Sequence, residues 1–169
     1  MTQGDTYPST NQHIMLDDLF ARLQLAAAPT EIEALQSGIW QRWLASGDAA
    51  TDKELEAGMR AMQADDLALA IRQFTKIILL NPNFAEAWNK RATARYLRGE
   101  YRASLADIAE TLRREPRHFG ALWGRTSILR ELGDYRQALR TLTTLSAICP
   151  NLPGLREQQL SLQERLEGD

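Results

Sequence analysis

The sequence of 169 residues is 44% hydrophobic and 25% charged, with 20 Lys and Arg against 22 Asp and Glu; these proportions indicate one globular domain and exclude a disordered chain. A single cysteine excludes an intramolecular disulfide, and without Cys and His at metal-ligand spacing we expect no metal site and no other cofactor. The apolar runs are too short for a transmembrane helix, so we expect no membrane association.

The N-terminal region predicts a tail followed by a helical hairpin. Residues 1–13 are predicted to be a flexible tail. They lack the basic and apolar stretches of a signal peptide, so we expect a cytoplasmic protein; a periplasmic location stays open, because removal of a leader would leave the same chain. Within residues 14–50, helices over 14–27 and 30–46 are predicted on either side of Pro29.

The second helix of this hairpin carries a start signal and an apolar stripe. Thr30 and Glu33 have the spacing of a capping box, which predicts that the helix begins there. Apolar residues then recur at helical spacing and are too costly to expose, so we expect them to pack on the first of the repeats described next. The stripe consists of Ile32, Leu35, Ile39, Trp40, Trp43 and Leu44.

A period of 34 residues follows the hairpin, and it divides the chain into units that each predict two helices. In the second and third units a glycine ends the first helix, in the first unit Asp65 and Asp66 join the two helices, and in every unit a proline stops the second helix. The units span 51–84, 85–118 and 119–152, and 153–169 predicts one further helix that caps the array. The recurring positions are Pro82, Pro116 and Pro150, Gly99 and Gly133, Tyr101 and Tyr135, and Arg91 and Arg125.

Helices are predicted within the three units at 52–64 and 67–80, 85–98 and 101–114, and 121–132 and 135–147. These units resemble the tetratricopeptide repeat (TPR) family, whose pattern of W-x2-L-G-x2-Y, A-x3-F and P extends over one such period. The first unit departs from the pattern at Glu54, where a large apolar residue belongs. The matching residues are Gly58, Ala61, Ala70, Phe74 and Pro82, then Trp88, Ala92, Ser104, Ile108 and Pro116, then Leu122, Leu129, Ala138, Leu142 and Pro150.

The resemblance covers residues 51–152 and is strongest to short bacterial TPR proteins of unassigned function that share stretches such as WNKRAT and EPRHFGAL. It implies an all-α right-handed α-solenoid of helical hairpins, with the N-terminal hairpin and a C-terminal capping helix at its ends. It also implies a non-enzymatic scaffold or adaptor that binds a peptide or helix of another protein in a concave groove. The implied groove residues are Leu55, Met59, Met62, Asn89, Lys90, Thr93, Tyr96, Leu97, Trp123, Ser127 and Arg130.

Some groove positions have structural alternatives. Packing within the chain explains Met59 and Met62 as well as partner binding does. Gly124 takes a groove position, as Gly120 does, and a glycine inside a helix costs about 1 kcal/mol relative to alanine. Close approach of a partner backbone or close helix packing would explain why glycine stands there. Lys90 alone does not make the Lys/Asn/Arg clamp with which some TPR domains grip a chaperone's C-terminal carboxylate.

Arginine stands at position 7 of two units, Arg91 and Arg125, where the family usually has leucine. A guanidinium on a packed face must be paired, and we expect Arg91 to pair with Asp107 rather than to contact a ligand. Cys149 and His118 lie at repeat junctions, and we expect both to be structural. Since no nucleophile, base and acid form a recognisable arrangement, we predict no enzymatic activity.

Two other functions stay open. Residues 1–84 carry a net charge of −5 and residues 85–169 of +3, so the arginines of the second unit could bind RNA. Base-reading repeats need polar readers in every unit, which this chain lacks, so nucleic acid is the less favoured partner. The groove could also be filled by the N-terminal tail or by a second copy, which leaves a homo-oligomer open.

Overall fold

Helical hairpins account for the part of the chain that the structure describes. The computed structural model describes residues 10–168, with side chains from Met15 onward, and holds nine helices and no strand in that range. The predicted all-α helical-repeat solenoid is confirmed. In chain order the helices are α1 (Thr10–Leu25), α2 (Pro29–Leu44), α3 (Ala49–Gln63), α4 (Leu67–Leu80), α5 (Ala85–Leu97), α6 (Tyr101–Arg114), α7 (Phe119–Glu131), α8 (Tyr135–Ile148) and α9 (Leu155–Gly168).

Local signals set the ends of the repeat helices. Asp48, Asp66 and Asp134 each accept a hydrogen bond from the backbone N–H three residues ahead, which satisfies one of the unpaired donors at the starts of α3, α4 and α8. Gly99 and Gly133 have φ of +76°, a left-handed conformation that suits glycine at the ends of α5 and α7. The recurrence of these turns repeats the same hairpin along the chain.

Successive helices pack as pairs, and the pairs stack. α3 with α4, α5 with α6, and α7 with α8 form the pairs, while contacts of α4 with α5 and of α6 with α7 join one pair to the next. Phe74, Ile108 and Leu142 stand 34 residues apart in the sequence, and each is buried in a hydrophobic cluster that includes residues from the other helix of its pair. α9 packs on α8 and buries Leu155 and Leu162 there.

The N-terminal hairpin folds back across the repeats instead of extending them. Buried residues of α1 and α2 share one hydrophobic cluster with α7, α8 and α9. The prediction that the apolar stripe of α2 packs on the first repeat is therefore wrong, and among its members only Leu44 contacts the cluster of α3 and α4. Gln24 donates a hydrogen bond to the Ala147 carbonyl (3.2 Å) and Asn151 donates one to that of Ala26 (2.8 Å), which ties the hairpin to the last repeat.

The structure corrects two predicted boundaries near the N-terminus. α1 begins at Thr10, so residues 10–13 of the predicted tail are helical, and residues 1–9 lie outside the described residues. The capping-box prediction is wrong because Pro29 occupies the first turn of α2, where its missing N–H is not needed, and Thr30 lies inside the helix. Within residues 10–168, no helix combines the length and hydropathy needed to cross a membrane.

Candidate binding groove

The predicted groove residues lie along α3, α5 and α7, the first helices of the three repeats. Between α5 and α7 the structure contains a cavity of about 90 Å³, with part of its wall formed by α6. Five groove positions identified from the sequence line this cavity. They are Asn89, Thr93, Tyr96, Gly120 and Gly124.

A buried polar cluster joins the N-terminal ends of α5 and α7. Glu86 and His118 are both inaccessible to solvent. His118 Nδ1 accepts a hydrogen bond from the Ala121 N–H (3.1 Å), so the ring proton lies on Nε2, which donates to Glu86 Oε2 at 2.9 Å. Asn89 donates to the same carboxylate and Lys90 forms an ion pair with it at 3.2 Å. The buried charge of Glu86 is thereby compensated, and Asn89 and Lys90 are engaged within the chain.

Two tryptophans of α2 cover this cluster. The Trp43 ring stacks on His118 with centroids 4.0 Å apart, and the Trp40 ring meets His118 edge-on at 5.3 Å. Lys90 Nζ lies 5.2 Å from the Trp40 ring centroid, a favourable cation–π arrangement. α2 therefore closes one end of the groove. This surface, here termed the closed edge, consists of Trp40, Trp43, Glu86, Lys90 and His118.

Sequence reasoning missed the closed edge because its residues come from three separate segments of the chain. Lys90 is predicted to line the groove, and nothing in the sequence places Glu86, one turn before it, against His118 or α2. The pair Trp40 and Trp43 predicts a large buried surface, since aromatic rings of this size need one, but the sequence does not show which helices supply it.

The C-terminal ends of α5 and α7 remain open. Thr93 and Leu97 are exposed, Leu97 to 55%, while Tyr96 and Ser127 are half-buried. The Tyr96 ring packs against that of Tyr101 with centroids 5.7 Å apart, which holds it beside the cavity. This surface is termed the open half. It consists of Thr93, Tyr96, Leu97, Gly124 and Ser127.

Two glycines one turn apart on α7 mark the boundary between these surfaces. A Cβ at Gly120 would meet the Trp40 ring at 2.7 Å, so the closed edge requires glycine there. A Cβ at Gly124 would meet only Ile108, at 3.5 Å, which is ordinary van der Waals contact. Packing within the described chain therefore does not account for Gly124, and its missing side chain leaves space in the cavity.

The groove residues predicted in the first repeat belong largely to the core. Leu55 is 2% exposed in the cluster formed around Phe74, so it offers no surface to a partner. Met59 and Met62 are half-buried against the same cluster. For both methionines the structure thus shows the internal packing that the sequence left as one alternative.

Two predicted groove residues of α7 lie toward the end of the array. Trp123 is half-buried against the cluster that the hairpin shares with α8 and α9. Arg130 donates a hydrogen bond from Nη1 to Gln158 Oε1 of α9 at 2.6 Å, so its guanidinium faces the capping helix. The Ser127 hydroxyl donates to the Trp123 carbonyl within α7, at 3.2 Å.

The predicted Arg91–Asp107 pair is confirmed. Arg91 donates from Nε and Nη2 to the two oxygens of Asp107 at 2.9 and 2.8 Å, and from Nη1 to the Thr75 hydroxyl at 3.0 Å. Arg95 donates to the same carboxylate at 2.8 Å. This buried network joins α4, α5 and α6, and each of the three guanidinium nitrogens of Arg91 donates a hydrogen bond within it.

The remaining candidates for chemistry are structural. Cys149 is 1% exposed, and burial raises the pKa of its thiol to about 12, so the reactive thiolate is scarce at neutral pH. Among the side chains of residues 15–168, no three His, Cys, Asp or Glu groups lie together so that they could hold a metal ion. What the described part of the groove offers is shape and apolar surface.

Comparison with known proteins identifies relatives of this architecture. No family model matches the chain. A TPR repeat-containing protein of Rhizobium etli is 33% identical over 154 residues, which make up 91% of this chain and 76% of that protein. The TPR2B domain–pHsp70 complex of yeast Sti1 has a TM-score of 0.63 at 17% identity, over 70% of this chain and 99% of that one. The first TPR of Spaghetti (RPAP3), bound to an HSP90 peptide, has a TM-score of 0.65 at 15% identity, and the match covers 69% of this chain and 95% of that one.

Proposed function

The chain belongs to the tetratricopeptide repeat family, and from this premise we propose that it is a non-enzymatic protein-interaction module that binds a peptide or helix of another protein in the open half of its groove. The observation that carries the proposal is the cavity of about 90 Å³ between α5 and α7, beside half-buried Tyr96. Leu97 exposes 55% of its surface at the same end of α5. Covering apolar surface is favourable, and tyrosine is enriched at binding hot spots.

The cavity indicates what the partner segment would present. Ile108 and Ile128 give the cavity apolar walls, and a volume of this size receives one small apolar side chain. Gly124 leaves room for the backbone of that segment to approach α7 closely. An apolar anchor on a short helix or an extended peptide fits these features.

Both solved neighbours described above carry a partner, pHsp70 in one and an HSP90 peptide in the other, which supports a peptide as the class of ligand. A clamp for a terminal carboxylate is not supported here. Lys90 already pairs with Glu86, and Asn89 is 6% exposed. We therefore propose an apolar internal segment rather than an acidic C-terminus as the occupant.

Photo-crosslinking in cells tests this proposal. A photoreactive amino acid replaces Tyr96 in the full chain, and a matched variant carries it at Arg113, an exposed position on α6. We expect the variant at position 96 to capture a specific protein that the variant at position 113 does not. Specific capture at position 113 alone would place the interaction on the outer surface and refute the groove proposal.

The two alternative functions have weaker support. Arg113 and Arg114 both form ion pairs with Glu110, so part of the basic surface suggested for RNA is neutralised. Titration with RNA at two salt concentrations tests this alternative, because phosphate contacts make affinity fall steeply with salt. Light scattering across a series of protein concentrations tests self-association, because the measured molar mass would then rise with concentration.

A further inference from the structure

A second cavity lies between α6, α7 and α8 and shares no lining residue with the groove. Its volume is about 580 Å³, and Leu112 and Leu122 form apolar parts of its wall. Three arginines also line it: Arg125 on α7, and Arg136 and Arg140 on α8. No function proposed so far uses this cavity, so its basic lining requires a separate explanation.

The second repeat shows how this fold ordinarily accommodates arginine at position 7. Arg91 is 9% exposed, and its guanidinium is held by both oxygens of Asp107 and by the Thr75 hydroxyl. Its charge is thus compensated within the chain.

The third repeat keeps the arginine but lacks these partners. Arg125 stands 34 residues after Arg91, and the residues that correspond to Asp107 and Thr75 are Thr141 and Ala109. Arg125 is half-buried, and among residues 15–168 no hydrogen bond or ion pair to its guanidinium is found. The expectation that a packed guanidinium is paired within the chain therefore fails at this position.

The side chains around Arg125 add to the excess of positive charge in the cavity. Arg136 and Arg140 are one turn apart on α8, where like charges repel, and neither forms an ion pair within residues 15–168. Of the described residues that line the cavity, Asp134 alone carries a carboxylate, and it accepts hydrogen bonds from the backbone N–H and side-chain amide of Gln137. Three guanidinium groups thus share the cavity with one carboxylate that already caps α8.

We propose that this cavity is an anion site that binds a ligand bearing phosphate groups. Guanidinium groups bind phosphate through paired, charge-assisted hydrogen bonds. The third repeat supplies three guanidinium groups and has no carboxylate at the position of Asp107, the residue that pairs with Arg91 in the second repeat. A volume of 580 Å³ admits more than one phosphate group. The site is independent of the groove, so a partner in the groove and an anion here could be bound together.

Calorimetric titration of the full chain at constant ionic strength tests this site. Pyrophosphate represents free phosphate compounds, and a doubly phosphorylated peptide represents a protein-borne source; the tighter of the two identifies the source. We expect saturable binding that weakens about tenfold or more in Arg140→Gln and in Arg125→Leu. Arg156→Gln removes an exposed arginine from α9 and should leave the affinity unchanged.

Thr141→Asp gives a second and opposite readout. It places a carboxylate where Asp107 stands in the second repeat, so it should pair with Arg125, raise the melting temperature and abolish anion binding. Failure of the wild-type chain to bind either ligand at millimolar concentration would overturn the proposal. Equal weakening in Arg140→Gln and Arg156→Gln would also overturn it, because binding would then depend on net charge alone.

Discussion

The two ends of the groove are built on the same two helices and differ in what covers them. At the closed edge, α2 lays Trp40 and Trp43 over a buried Glu86–His118 pair. At the open half, one to three turns further along α5 and α7, Tyr96 borders a cavity that no described residue fills, and Leu97 beside it in the sequence is exposed. The comparison teaches that a groove position in a repeat does not by itself make a residue available to a partner, because a flanking hairpin can absorb it into the core.

The strongest test of this difference is Glu86→Ala. The substitution leaves His118, Asn89 and Lys90 without their common acceptor in a buried site. We therefore expect the free energy of unfolding, measured by chemical denaturation, to fall by about 3–5 kcal/mol. Glu56→Ala is the matched control, because Glu56 pairs with Arg60 on the exposed surface and should cost less than about 1 kcal/mol. Equal losses in the two variants would show that the closed edge is not a cooperative part of the fold.

Gly120→Ala should have the next largest effect. The added methyl group meets the Trp40 ring at 2.7 Å, and displacing that ring should lower the unfolding free energy by about 1–3 kcal/mol. A change in tryptophan fluorescence should accompany the loss. Unchanged stability and fluorescence would mean that Trp40 moves aside without cost and that α2 does not close the groove.

Gly124→Ala should raise the free energy of unfolding, whereas Gly120→Ala should lower it. Its methyl group has ordinary contact with Ile108 alone, and alanine favours a helix over glycine by about 1 kcal/mol, so thermal unfolding should show a stabilisation of up to that size. Gly120→Ala and Gly124→Ala thus place the same chemical change on one helix, one turn apart. Destabilisation by both would remove the distinction between the closed edge and the open half.

Labelling of Cys149 should report, without any mutation, whether the N-terminal hairpin stays packed on the last repeat. The thiol lies in the cluster that the hairpin shares with α8 and α9, and burial raises its pKa to about 12. A raised pKa keeps the thiol protonated, so alkylation at pH 8 should be roughly a thousandfold slower in the native chain than in denaturant, measured by mass spectrometry. Fast native labelling would show that the hairpin does not cover this cluster.

Local and periodic features were predictable from the sequence. The 34-residue frame placed Arg91 and Asp107 on adjacent helices, and their pairing is confirmed because both positions belong to one contiguous hairpin. The docking of α2 was not predictable from the same signals, since periodicity shows which face of a helix is buried but not which distant helix covers it. Among the described side chains Arg125 has no partner because Thr141 stands where the second repeat has Asp107, a difference between repeats that a shared pattern does not reveal.

If the open half receives a partner through the cavity between α5 and α7, filling that cavity should prevent binding. The photoreactive residue at position 96 is combined with Gly124→Leu, which places a side chain in the cavity. We predict that the partner captured by the single variant is lost while the melting temperature is retained. Undiminished capture of the same partner with the cavity filled would contradict the account.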